Sequence, residues 1–240
     1  MKKQGSIIRS GLTIVIMLML CSCVQRQERS RNADKYDNWK ASLADSVAIL
    51  EKERTLAEDS LTCAYTTVDS LLKEFAYVEN PREVEGYTIL KSARGSYPLA
   101  RTGMIARISK AEGFELVAAL SGAPFSRVTV SDGHRTVSSA IVLPDQGLNY
   151  RSGSLTTILF TGSEADSIGM LISSAVSGKV RVAYFGNSGQ VSAVTLSPTD
   201  TDVISRTWKL ASARREVHRL EMTLPLVSRK IDLLRRQMEK

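Results

Sequence analysis

The sequence predicts an α+β fold: an antiparallel β sandwich or small barrel with one helix, inserted between two long helices that form an antiparallel coiled-coil stalk. Three observations predict it. Apolar residues near each end of the chain recur in alternating four- and three-residue steps, which is the seam of a coiled coil. Between them the pattern changes to period two, with Gly, Asp, Asn and Ser punctuating short runs rich in Val, Ile and Thr. The two seams also match in reach when laid head to tail. Setting Val78 opposite Val203 brings Leu43 opposite Met238.

Residues 1–22 open with Lys2, Lys3 and Arg9, continue through an apolar run from Leu12 to Leu20 and end in Leu20-Cys21-Ser22-Cys23. This order of basic, apolar and small-residue regions reads as a secretory signal, and its apolar core is shorter than the roughly 20 residues a spanning helix needs. The last four residues resemble the lipobox of bacterial lipoproteins, in which a small residue precedes the cysteine that is lipidated and becomes the first of the mature chain. That resemblance implies lipid attachment at Cys23, with Ser22 as the small residue and Leu20 three positions before the cysteine. It also implies export and a cell-envelope location, facing the periplasm from the outer membrane in a Gram-negative cell. The formal charge of +7 loses its three basic residues with the signal, so no nucleic-acid partner is expected from it. An apolar fraction of 43% with 24% charged residues is that of a globular protein.

Residues 23–34 form a polar tether in which Arg26, Arg29 and Arg31 outnumber Glu28 and Asp34. Basic residues beside anionic headgroups contribute on the order of 1 kcal/mol each. The first coiled-coil helix is expected over residues 35–80, with its seam at Leu43, Val47, Leu50, Ala57, Leu61, Ala64, Val68, Leu71, Phe75 and Val78. Only Arg54 interrupts it. At 1.5 Å per residue that seam is roughly 54 Å long. Asn80-Pro81 supplies the stop, because proline disfavours the helical conformation of the residue before it. Trp39 lies beside the seam and reads first as packing, second as an interfacial anchor.

Residues 83–197 read as the β-rich head. Strands are expected at 87–93, 103–109, 114–120, 127–131, 136–143, 155–161, 179–185 and 190–196. Ser131-Asp132-Gly133-His134 predicts a hairpin with a type I′ Asp-Gly turn, and Gly186-Asn187-Ser188-Gly189 predicts a second. One helix interrupts the strands: Ser163 as cap, Asp166 answering three residues on, an apolar face of Ile168, Leu171, Ile172 and Ala175, and Gly178 as stop. Ser197-Pro198-Thr199-Asp200 then starts the second coiled-coil helix, residues 198–240. Its seam steps through Leu210, Ala213, Val217, Leu220, Leu224, Val227, Ile231, Leu234 and Met238. The register sets Arg54 against Val227, with Pro225 two residues away, so the stalk is expected to be weak at that level.

Chemistry is hard to assemble from this chain. Asp132, His134 and Arg135 are the only acid-base cluster, and turn formation alone accounts for Asp132. His218 falls on the second helix. Gly147, Gly153 and Gly162 lack the lysine and hydroxyl of a phosphate loop, and Cys and His are too few for metal-ligand spacing. No cofactor and no enzymatic activity are expected. Loss of Cys21 and lipidation of Cys23 leave Cys63 as a single thiol, inert or linked between chains. The reading is a membrane-anchored lipoprotein of structural or protein-interaction type, whose partner is another envelope protein and which allows a homodimer through the stalk. A ligand-binding head with a cavity in the β domain is the alternative.

Overall fold

The computed structural model describes the backbone of residues 6–79, 86–111, 113–144, 148–175 and 179–239, with side chains from residue 35 onward. The fold is α+β. The order is α1 (Ser6–Leu72), β1 (Phe75–Val78), β2 (Tyr87–Leu90), a 3-10 turn (Lys91–Ser96), β3 (Gly103–Ser109), β4 (Phe114–Ser121), β5 (Arg127–Ser131), β6 (Thr136–Ser138), β7 (Asn149–Ser152), β8 (Leu155–Phe160), α2 (Gly162–Ser173), β9 (Arg181–Gly186), β10 (Gly189–Thr195) and α3 (Pro198–Met238). The strands make two antiparallel sheets, in the orders β1-β2-β3-β4-β8-β7 and β10-β9-β5-β6. The chain divides into two compact units, Met1–Glu58 with Met222–Lys240, and Asp59–Glu221.

In the larger unit the core joins both sheets to all three helices. Val128, Val130, Val182 and Tyr184 of the smaller sheet are buried with Ile105, Ile108, Leu116 and Ile158 of the larger. Ile168 and Leu171 of α2, Val68 of α1, and Ile204, Leu210 and Ala211 of α3 complete it. β5 alternates as a half-buried strand should. β3 does not: every residue from Gly103 to Ile108 is buried, because both of its faces are covered.

The first helix ends earlier than its seam suggests. α1 stops at Leu72, Lys73 and Glu74 turn, and Phe75–Val78 pairs with β2 as a strand instead of extending the helix to residue 80. Phe-Ala-Tyr-Val is rich in strand formers, and the strand buries Phe75 in the core while its edge pairs with Tyr87–Leu90. The three-residue step from Phe75 to Val78 continues the helical seam, and a four-residue strand is too short to oppose it with an alternation of its own. The Asn80-Pro81 stop, Gly147 and Gly178 lie outside the described residues.

Other elements shift for local reasons. The strand expected over 136–143 ends at Ser138, since the Ser139 hydroxyl accepts the Val128 N–H at 3.0 Å and donates to the Ala140 carbonyl at 2.9 Å. β7, not foreseen, is mostly polar and exposed, so it carries no apolar alternation. α2 begins at Gly162 after Thr161, with no side-chain cap; the expected Ser163–Asp166 box does not form, because Asp166 accepts the Trp208 indole N–H at 2.9 Å and the Arg215 guanidinium. At the head of α3 the serine cap does form: the Ser197 hydroxyl accepts the Asp200 N–H at 3.1 Å and donates to Asp200 Oδ2 at 2.8 Å.

In the smaller unit, Val47, Leu50 and Ile231 are buried together, with Val227, Leu234 and Met238 packed against them. Glu51 accepts a hydrogen bond from Arg235. Arg54 is half-buried; its Nε lies 3.5 Å from Glu58 Oε1 and makes no hydrogen bond. Pro225 sits inside α3, which continues through it to Met238.

Candidate functional site

The acid-base cluster of the β5–β6 hairpin is a turn clamp. Its loop centres on Gly133 and His134, closed by the Asp132 N–H to the Arg135 carbonyl at 3.2 Å, so the turn lies one residue later than Asp-Gly spacing suggests. Gly133 holds φ +92°, a conformation side chains resist. Asp132 Oδ1 accepts the N–H groups of His134 at 2.9 Å and Arg135 at 2.8 Å. Asp132 Oδ2 accepts the Arg135 guanidinium at 2.6 and 3.0 Å. The Arg135 N–H, then its guanidinium and the His134 N–H hold this carboxyl far below the ordinary carboxylate range. A carboxylate so bound is a poor general base, and His134, whose backbone N–H it accepts, is exposed. Arg135 also reaches the Ser174 hydroxyl at 3.1 Å, tying the hairpin to the end of α2.

A second polar cluster was not foreseen. Arg107 of β3 is buried; its Nε donates to Glu115 Oε2 of β4 at 2.6 Å and its Nη1 donates to the Tyr97 hydroxyl. Its guanidinium lies 4.7 Å from the Tyr87 ring centroid and 5.8 Å from that of Tyr97, and these rings are 4.6 Å apart. The signal was present in the sequence: an arginine inside the apolar run Met104-Ile105-Ala106-Arg107-Ile108 must bring a partner or be exposed.

Beside this cluster a cleft of about 450 Å³ opens between the β3–β4 turn and the start of α2, lined by Ser109, Glu115, Thr161, Ser163, Asp166 and Arg215 among others. Its charges are already matched, Asp166 with Arg215 and Trp208, Glu115 with Arg107. Among the described residues no group of three or more His, Cys, Asp or Glu is placed to hold a metal ion.

The sequence-derived sites fall apart from one another. Cys23 lies outside the described side chains. Cys63 is a free, exposed thiol, and His218 is exposed on α3. Trp39 is 43% exposed and stacks at 5.8 Å on Tyr36, over which the Lys40 ammonium sits at 4.6 Å. Ile49 and Leu56 of α1, and Met222, Leu226 and Leu233 of α3, are each more than half exposed. Among the described residues no helix is long and apolar enough to cross a membrane. No protein-family model, no curated protein and no solved structure matches this chain.

Proposed function

We propose that the protein is an envelope lipoprotein of structural or protein-interaction type, held to a membrane by acyl chains on Cys23. In this reading α1 and α3 pair as an antiparallel coiled coil, and the two sheets stack as a sandwich that meets another envelope protein. The observation that carries it is Leu20-Cys21-Ser22-Cys23 directly after a basic start and an apolar run. Support for the coiled coil comes from Leu50 and Ile231 in one buried cluster, in the register the seams imply, and from the Glu51–Arg235 bond that links the two helices beside the seam. Support for a membrane surface comes from the exposed Tyr36–Trp39 pair with Lys40, since amphipathic rings favour the headgroup level.

The test is Cys23→Ser in the producing cell. Fatty-acid labelling and membrane fractionation should both be lost; labelling unchanged by the substitution would overturn the reading. A ligand-binding domain is the second reading, favoured by the cleft beside α2. A thermal-shift screen of small molecules against the whole protein, repeated on a Ser163→Trp variant that fills the cleft, separates the two: a ligand bound in the cleft raises the unfolding temperature of the first protein and not of the second.

A further inference from the structure

We infer that one exposed face of the helix pair binds a second copy of this chain about a two-fold axis parallel to the helices, α1 of each copy lying against α3 of the other. The inference rests on the paired-helix reading above and is independent of lipidation.

Heptad positions locate the face. With Val47 and Arg54 at a, Leu50 and Ala57 at d, and on α3 Ile231 and Met238 at a, Val227 and Leu234 at d, both Glu51 and Arg235 fall at e. Their bond therefore stands on the e side of the seam. In an antiparallel pair e meets e and g meets g, so the c positions, which adjoin g, share the opposite side of the pair. Those positions are Ile49 and Leu56 on α1 and Leu226 and Leu233 on α3, exposed by 60%, 57%, 63% and 54%. Because Leu50 packs at the level of Ile231, Ile49 lies level with Leu233 and Leu56 with Leu226. One side of the pair is closed by a polar bond; the other presents four large apolar side chains in two rungs. Scattered exposed leucines are ordinary, whereas rungs at seven-residue spacing on both helices form a second seam.

Charge selects the occupant and its direction. The f and g positions bordering the face are Asp45, Lys52 and Glu53 on α1, but Arg229, Lys230 and Arg236 on α3, and all six are exposed. A second copy related by an axis across the helices would set α3 against α3 and oppose three cations to the same three. An axis along the helices sets α1 against α3 instead. Asp45 then meets Arg236 of the second copy, Glu53 meets Lys230, and Ile49 and Leu56 meet Leu233 and Leu226. Lys52 beside Arg229 is the like-charge pair that remains. Such an arrangement is isologous, as a two-fold interface must be: the two hairpins point the same way, and each α1 runs antiparallel to the α3 it meets.

The experiment uses the full chain carrying Cys21→Ser, Cys23→Ser and Cys63→Ser, with Ile49→Cys and Leu233→Cys added together or singly. Oxidation of the double variant should give disulfide-linked dimers, and neither single variant should. Dimers from Ile49→Cys alone would mean α1 against α1 and would overturn the proposal, as would linkage only within one chain. Leu233→Glu, at a position exposed in the single chain, should leave the thermal unfolding of the monomer unchanged. It should weaken self-association at least ~100-fold, since the symmetry removes each side chain twice. An unchanged mass by light scattering would refute the inference, and so would a wild-type monomer crosslinked through position 49 to a different protein. A Leu43→Cys, Met238→Cys pair that fails to close within one chain overturns the paired-helix reading as well; closure there with no dimer overturns the inference alone.

Discussion

Replacing Arg107 by Met tests how the centre of the larger sheet tolerates charge. The Arg107 and Glu115 side chains are 9% and 14% exposed and 2.6 Å apart. Breaking a buried pair by removing one member leaves the other charge without compensation, at a cost of about 3–5 kcal/mol. In a unit of this size each kcal/mol moves the melting temperature by about 2–4 °C, so Arg107→Met should melt roughly 6–20 °C lower. Adding Glu115→Leu removes the orphaned carboxylate. The double variant should then recover most of the loss, short by about 1–2 kcal/mol for the guanidinium's lost position over the Tyr87 and Tyr97 rings. Calorimetry of the four proteins, with urea unfolding beside it, completes the double-mutant cycle. A double variant as unstable as Arg107→Met alone would refute the reasoning, for it would show that packing of the arginine stem and not its charge carries the effect.

Gly169→Ala should lower stability by about 1–3 kcal/mol through overpacking, because a Cβ there would stand 2.5 Å from Trp208 Cδ1 and 2.7 Å from Phe114 Cε1; a neutral substitution in thermal unfolding would contradict that geometry. Arg54→Leu with Pro225→Ala should stabilise the helix pair by about 3 kcal/mol or more, since an interior proline clashes with the preceding turn and lacks a donor. Hydrogen exchange in residues 50–58 and 221–229 reads the gain, and protection already uniform there in the unmodified protein would refute the weak point. The Asp132 carboxyl is depressed in the folded state, so its stabilisation is present above the ordinary carboxylate pKa of about 4 and is lost as pH falls below it. Acid unfolding of Asp132→Asn should accordingly be less steep in that range; an identical pH profile would mean the clamp does not contribute.

The sequence made the repeating features legible and the singular ones obscure. Seam periodicity marked the helical parts of α1 and α3, and β3 and β5 came out with their observed ends, because runs of Val, Ile and Thr bounded by turn residues constrain the backbone locally. β1 was hidden because Phe75 and Val78 continue the seam's three-residue step, and four residues are too few to show a strand's alternation. β7 was hidden because three of its four residues face solvent and leave no alternation to read. The Asp166 cap failed for a different reason: its competitors, Trp208 and Arg215, lie more than forty residues away in sequence. At the polar clusters the same holds. Asp132 was correctly read as a turn residue from its neighbours, whereas the Arg107 site needed β2, β3, β4 and the Tyr97 turn brought together, and its ring contacts leave no periodic trace.

The long edge strand β10 bears on how the molecule stays apart from other strands. β10 is seven residues long and closes one side of its sheet, where a regular strand would offer a row of free amide and carbonyl groups to any extended chain. Its pairing with β9 slips between Gln190 and Ser192, leaving Val191 as an unmatched residue 37% exposed. A bulge of this kind bends and twists the edge so that an incoming strand cannot keep register along it. Deleting Val191 would straighten β10 into a regular ladder and turn the edge into a template, so the sheet would be more prone to pair edge to edge without its irregularity.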